Sequence, residues 1–142
     1  MIRPNGIIGD PDGTTLYVAD HGDDKIWRYE IETDGSLSEK TLFAATGSDG
    51  MTMDDSGNIY LTNNDVLIYD SLGNLVDTVE IAEDTTNVCF GGADGKTLFI
   101  TAKTSVYALV MDVSGADWGN SNDNGDGDGG NRLYFPHVAS GD

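Results

Sequence analysis

"MDDSGNIYLTNNDVLIYDSLGN", residues 53–74, contains two short runs in which apolar and polar side chains alternate, each bounded by Gly, Asn or Asp. Alternation with a period of two places successive side chains on opposite faces of an extended strand. Ser56-Gly57 can supply the left-handed backbone of a tight turn, and Ile59, Val66 and Ile68 favour a pleated surface. The stretch reads as two antiparallel strands. The same grammar recurs in "DPDGTTLYVADHGDDKIWRYEI" (10–31) and "GGADGKTLFITAKTSVYALVM" (91–111), with Asp12-Gly13 and Asp94-Gly95 as turns. Leu16, Ile59 and Leu98 hold equivalent places and stand 43 and 39 residues apart. A period near 40 built from short strands is that of propeller blades, each a small antiparallel sheet.

No segment carries an apolar stripe of helical period, and "LVDTVEIAED" (75–84) reads as an outer strand. The expectation is an all-β fold of about three blades over residues 1–113. Three blades make half a ring, whose open ends leave sheet faces and edges that closure would cover. Met1 precedes "RPNG" in what reads as mid-blade, so a missing N-terminal half is expected, with a self-association that completes the propeller as the alternative.

After Val113 the alternation stops. Residues 114–130, which include "GADWGNSNDNGDGDGG" (115–130), are too poor in apolar side chains to offset ordering entropy and read as a flexible, disordered acidic linker. Asn122, Asn124, Asp126 and Gly127 imitate a calcium loop, but its twelfth position is Leu133 instead of Glu, which rules out an EF-hand. "NRLYFPHVASGD" (131–142) reads as the start of a truncated following module, with His137 as a strand or loop residue.

The chain has 142 residues and a formal charge of −18, from 25 acids against 7 bases. Nucleic acid and anionic membrane surfaces are thereby disfavoured as partners, since both select Lys and Arg clusters. Divalent cations are compatible with such a surface. No stretch approaches the roughly 18 apolar residues of a membrane span, and "MIRPNGIIGDPDG" turns polar too early for a secretory leader. The parent protein is expected in the periplasm or outside the cell, otherwise in the cytoplasm. Cys89, the one cysteine, lies in the apolar run "VCF" and reads as a buried core thiol.

In a propeller the innermost strand of each blade lines the central channel. "NGII" (5–8), "DGMTM" (49–53) and "NVCF" (87–90) would serve as inner strands, each led by an oxygen-bearing side chain: Asn5, Asp49 and Asn87. Hard cations take six to eight such oxygens, as a general rule, and no Cys or His pairs of zinc-site spacing occur. Asn-Gly and Asp-Gly are also common turn dipeptides, so spacing alone leaves a turn and a metal site equally open.

"RPNGIIGDPDGTTLYVAD", "SDGMTMDDSGNIYLTN" and "TTNVCFGGADGKTLFIT" resemble three successive motifs of the gluconolactonase/regucalcin (senescence marker protein) family. The resemblance covers about residues 3–110, roughly the C-terminal half of a family member. It implies a six-bladed β-propeller with a divalent metal in its channel, foremost Ca2+, with Zn2+, Mg2+ or Mn2+ as alternatives. It also implies hydrolysis of sugar lactones, with a small lactone or sugar acid as partner. By the same resemblance Asn5 is a metal ligand, Asp49 is both ligand and general base, and Asn87 lines the pocket. The glutamate ligand and the Arg/Asn substrate contacts of the family's early blades have no counterpart in this sequence, so the chain alone is expected to be weakly active or inactive. The chemistry is sensible: a cation polarises a lactone carbonyl, and Asp49 can accept a proton from the attacking water.

Asp20 and His21 could face the same mouth, although "ADHGDD" (19–24) is also an ordinary polar turn. No Gly-x-Ser-x-Gly elbow accompanies them. Trp27 and Tyr29 read as inter-blade core, and Gly91-Gly92 as a tight turn or bulge. Two rival readings share these residues: a non-enzymatic binding or scaffold propeller, and an acidic calcium buffer.

Overall fold

The computed structural model describes residues 1–117. Among them the chain forms strands β1 (Pro4–Gly9), β2 (Thr15–Asp20), β3 (Lys25–Glu30), β4 (Thr41–Ala44), β5 (Met51–Met53), β6 (Ile59–Asn63), β7 (Asp65–Tyr69), β8 (Leu75–Val79), β9 (Thr85–Gly91), β10 (Thr97–Ala102) and β11 (Val106–Val110). The described residues contain no helix. The strands make three antiparallel meanders, β1-β2-β3-β4, β5-β6-β7-β8 and β9-β10-β11. These are three blades of a propeller, and the expected outer strand at 75–84 is β8. Leu16, Ile59 and Leu98 each fall in the second strand of a blade, as the repeat required.

One device closes three of the hairpins. Asp10, Asp54 and Asp70 accept backbone N–H groups from the turn that follows: Thr14 at 2.7 Å, Ser56 and Asn58 at 2.9 Å, Leu72 and Asn74 at 2.9 Å. Three residues on, Gly13, Gly57 and Gly73 sit at φ 70°, 82° and 85° and donate their N–H to the aspartate's own carbonyl. A Cβ is strained in that conformation. Blade three has Gly92 in the aspartate's place, at φ 88°, so the expected turn at Gly91-Gly92 is real. Part of the acidic composition is therefore turn chemistry.

The middle blade is buried on both faces, because β6 and β7 alternate between two apolar layers. Ile59 and Leu61 meet Ile8, Tyr17, Ile26, Met51 and Met53 on the side of blade one. Tyr60, Val66 and Ile68 meet Val88, Phe90, Leu98 and Ile100 on the side of blade three. Edge-on ring contacts sit in each layer: Tyr17–Phe43 at 4.9 Å within blade one, and Tyr60–Phe90 at 5.1 Å between blades two and three. Each fully buried aliphatic contributes about 1.5–3 kcal/mol relative to exposure, so these layers fix the angle between blades.

Trp27 and Tyr29 lie half-buried on the open face of blade one, the face on which a preceding blade of a ring would pack, and Lys40 Nζ stands 4.0 Å over the indole. Two expectations need correction. Cys89 is exposed: Val88 and Phe90 turn inward, and strand alternation puts the thiol on the opposite face. Residues 114–116 are folded, not linker. Ser114 accepts the Asp55 N–H, Ala116 donates to Met53, and Ala116 is buried in the first layer. The linker from residue 118 on, the Asn122–Leu133 loop, the 131–142 module and His137 lie outside the described residues.

Burial pushes the Asp10 carboxyl up, but hydrogen bonds from Thr14 and Thr15 outweigh it and hold the group below its ordinary 3.8. The Asn74 side chain and N–H lower Asp70 in the same sense. A depressed carboxylate stabilises the fold above its unfolded pKa and loses that contribution as pH falls through the lower folded value. Urea midpoints should therefore stay level from pH 7 to about 5 and fall below about 4. Asp10→Asn should reduce the acid-dependent part of that fall.

Candidate active site

The start of each innermost strand lies at one rim of the arc. Pro4 pairs with Asp20 at the end of β2, Met51 with Leu61 near the end of β6, and Thr85 with Ala102 at the end of β10. The inner strands β1, β5 and β9 run side by side. Asn5 and Asp49 thus meet across the boundary between blades, with Asn5 Nδ2 donating to Asp49 Oδ1 at 2.8 Å. The two residues singled out as ligands share a rim.

Glycine makes this approach possible. A Cβ on Gly6 would stand 2.9 Å from the Asp49 carbonyl oxygen, and one on Gly50 would stand 2.1 Å from Asn87 Oδ1 and 2.8 Å from its Cα. In Asn5-Gly6 and Asp49-Gly50 the first residue brings a polar side chain to the rim, and the second leaves room for the next blade.

Asn87 is one residue out of step. Counting back along the pairings from Ile7, Met51 and Val88 puts Asn5, Asp49 and Thr86 in register, and Asn87 in the place of the glycines. Asn87 still reaches the site through its contact with Gly50, while Thr86 shares a 2.8 Å hydroxyl contact with Thr101. The sequence-level equivalence of Asn5, Asp49 and Asn87 therefore fails by one position, because leading oxygens were matched without strand register.

The loop bearing Asp49 is held from beneath by two hydroxyls that sequence reasoning missed. Buried Thr62 accepts the Gly50 N–H at 2.8 Å and donates to the Gly50 carbonyl at 3.0 Å. Buried Ser48 donates to the same carbonyl at 2.7 Å and accepts the Thr62 N–H at 3.0 Å. The Asp49 N–H donates to the Thr62 carbonyl at 3.1 Å, leaving its carboxylate, 36% exposed, toward the mouth. Ser and Thr beside a turn are too common to signal such a role from sequence.

Asp20 and His21 part company. Asp20 is fully buried and accepts the N–H groups of Ile2 and Arg3 at 2.7 Å each, so it anchors the chain entering β1 and does not line a pocket. Burial raises its pKa, and those N–H donors with the nearby amino terminus bring it below the ordinary value. His21 belongs to the site: its Nδ1 lies 3.4 Å from Asp49 Oδ1.

Whether this rim suits a cation is a question of donors. No three His, Cys, Asp or Glu side chains converge among the described residues. An ion would rest on the Asp49 carboxylate and on amide oxygen, which Asn5 presents once its amide is turned over. Such neutral and anionic oxygens fit a hard divalent ion that draws further ligands from water or other groups.

A family model described as "SMP-30/Gluconolactonase/LRE-like region" matches residues 1–104. The chain belongs to this family. Its members with known names bear this out: it is 31% identical over 125 residues to the gluconolactonase of Zymomonas mobilis, covering 77% of this chain and 35% of that protein. A solved structure described as a candidate gluconolactonase superposes with a TM-score of 0.75 at 30% identity, over 80% of this chain and 40% of the other. A calcium-binding regucalcin from Agrobacterium tumefaciens superposes with a TM-score of 0.72 at 26% identity, over 80% and 47%. The chain thus spans about a third of the length of the curated gluconolactonase it matches. The six-bladed lactonases contain these three blades as part of their ring.

Thr62→Val keeps the shape of the side chain but strands the buried Gly50 N–H, which costs about 1–3 kcal/mol. The variant should unfold at lower urea with an unchanged m-value. Gly50→Ala should destabilise by about 1–3 kcal/mol through overpacking against β9, whereas Gly35→Ala, with nothing within 4 Å of its Cβ, should cost less even at φ 83°. The same titration checks all three.

Proposed function

We propose that this chain carries the metal-facing rim of a gluconolactonase-type hydrolase of sugar lactones. The observation that carries the reading is the 2.8 Å meeting of Asn5 with Asp49, at one rim and within motifs of the family. Asn5 and Asp49 would hold a divalent cation of the kind the regucalcin relative is named for. Ca2+ suits the oxygen donors, with Mg2+, Mn2+ and Zn2+ as competitors. Bound there, the ion would polarise the ester carbonyl and ease deprotonation of a nearby water.

The chain's own contribution centres on Asp49. Its carboxylate accepts a proton as water oxygen bonds to the lactone carbonyl carbon; the ring C–O bond then breaks, and the departing oxygen takes a proton to give the hydroxy acid. Ser48 and Thr62 hold that carboxylate in place, and the Asn5 amide orients it. One carboxylate is a sparse donor set, so full turnover is assigned to a ring in which further blades, from an N-terminal half or a second copy, supply the remaining ligands.

Glucono-1,5-lactone hydrolysis by a ring completed with the N-terminal blades, followed by pH-stat with added Ca2+ or Mn2+, tests the proposal. Hydrolysis above the buffer rate, abolished by chelator and lowered roughly 100-fold or more in Asp49→Asn, is expected of the completed ring, with at most slow turnover by this chain alone. Turnover unchanged in that variant overturns the role of Asp49. Saturable lactone or sugar-acid binding without turnover would instead support the scaffold reading.

A further inference from the structure

His21 is a nitrogen donor at the rim that the oxygen-donor description leaves unused. It follows β2 directly, and the burial of Asp20 immediately before it fixes where it stands. Its Nδ1 is buried and has no hydrogen-bond partner, although Asp49 Oδ1 is 3.4 Å away. A buried ring nitrogen beside a carboxylate ordinarily donates to it. Here the contact has hydrogen-bond proximity without hydrogen-bond geometry, which is unusual for a buried polar atom.

The spacing suits a different partner. Two donor atoms bound to one ion at about 2.1 Å, at angles between square and tetrahedral, lie roughly 3.0–3.4 Å apart. His21 Nδ1 and Asp49 Oδ1, at 3.4 Å, have that separation, and Asn5 Nδ2 touches the same carboxylate oxygen at 2.8 Å. Imidazole and amide therefore both approach Asp49 Oδ1, which brings side chains from three chain segments to one carboxylate oxygen. Gly47 packs beside the imidazole: a Cβ there would stand 3.0 Å from Asp24 Oδ1 and in ordinary van der Waals contact, 3.7 Å, with His21 Nδ1.

We infer that His21 is a third ligand of the cation held by Asn5 and Asp49, and that its nitrogen turns the site from Ca2+ toward Zn2+, Co2+ or Mn2+. The inference rests on the proposed cation site and deepens it. Ca2+ gains little from imidazole, whereas first-row transition ions bind it well and follow the Irving–Williams order. With the proton on Nε2, the Nδ1 lone pair is available, and which nitrogen is free depends on what the other one meets.

The chain has two histidines and one cysteine, so a Cys89→Ser, His137→Ala background leaves His21 as its only histidine or cysteine donor. Calorimetric titration of that full-length background with Zn2+, Co2+ and Ca2+ in turn, and the visible spectrum of the Co2+ form, read the site without any turnover. Tighter binding of Zn2+ and Co2+ than of Ca2+ is expected. Adding His21→Ala should weaken the two transition ions roughly tenfold or more, alter the Co2+ bands, and leave Ca2+ nearly unchanged. His21→Gln, which keeps the volume and a polar tip, should behave like the alanine variant, and far-UV circular dichroism confirms that both are folded. Equal Zn2+ affinity and an identical Co2+ spectrum with and without His21 would overturn the inference while leaving the Asn5–Asp49 site intact. Loss of binding only in Asp49→Ala would point the same way, and absence of binding for all three ions would overturn both.

Discussion

The structure depends on how closely the innermost strands can pass one another. Blades that pack face to face must converge toward their shared axis, and side chains have least room there. At Gly6 and Gly50 the neighbouring blade occupies the space a Cβ would need. The missing side chains set the distance between β1, β5 and β9, and that distance sets whether residues from separate blades can touch. The Asn5–Asp49 contact follows from it. The apolar layers further out, around Ile59 and Leu61 on one side and Val66 and Leu98 on the other, supply the energy that holds the blades at that spacing.

The acidity of the chain divides into parts with different physics. Asp10, Asp54 and Asp70 spend their oxygens on turn N–H groups, and Asp20 spends both of its oxygens on the segment leading into β1. Tyr60, whose hydroxyl donates to Asp54 at 3.1 Å, has its pKa pushed up by burial and by that carboxylate. Glu83 ties off the β10–β11 turn through Thr104 and Ser105. Asp49 is different in kind. Its N–H is bound by the Thr62 carbonyl and the following Gly50 carbonyl by Ser48 and Thr62, while its side chain faces the mouth and, among the described residues, meets Asn5 and His21. Formal charge counts all these groups alike, which is why net charge says so little about where a cation would bind.

The blades were legible because period-two alternation, Asp-Gly turns and a 40-residue recurrence are local signals that agree with one another. The Asn5–Asp49 pair was legible through motif resemblance, since the glycine after each residue is part of the motif. What depends on strand register was not. Asn87 looked equivalent to Asp49 because each opens an apolar run, yet a register fixed by pairing with Ile100 puts Thr86 in that place. Cys89 reads as core on apolarity, and strand alternation sends it to the other face. Residues 114–116 looked like linker on composition, but Ala116 is small enough to slip into the first buried layer while its N–H bonds Met53. Composition cannot report a contact of that kind, since a small residue gives no pattern of its own.

Asp20 and His21 show the same limit most clearly, for they are adjacent in sequence and opposite in role. A strand end must turn one of two consecutive side chains inward and the other outward, so a polar pair there cannot act together on one substrate. The buried member of the pair is the more constraining. By taking the Ile2 and Arg3 N–H groups, Asp20 fixes the direction in which β1 begins, and so where Asn5 stands relative to Asp49. A buried residue that does not reach the mouth therefore governs the spacing of two side chains that do. That coupling makes the rim a unit: the entry to β1, the end of β2 and the loop before β5 keep the Asn5–Asp49 contact only if all three hold their places.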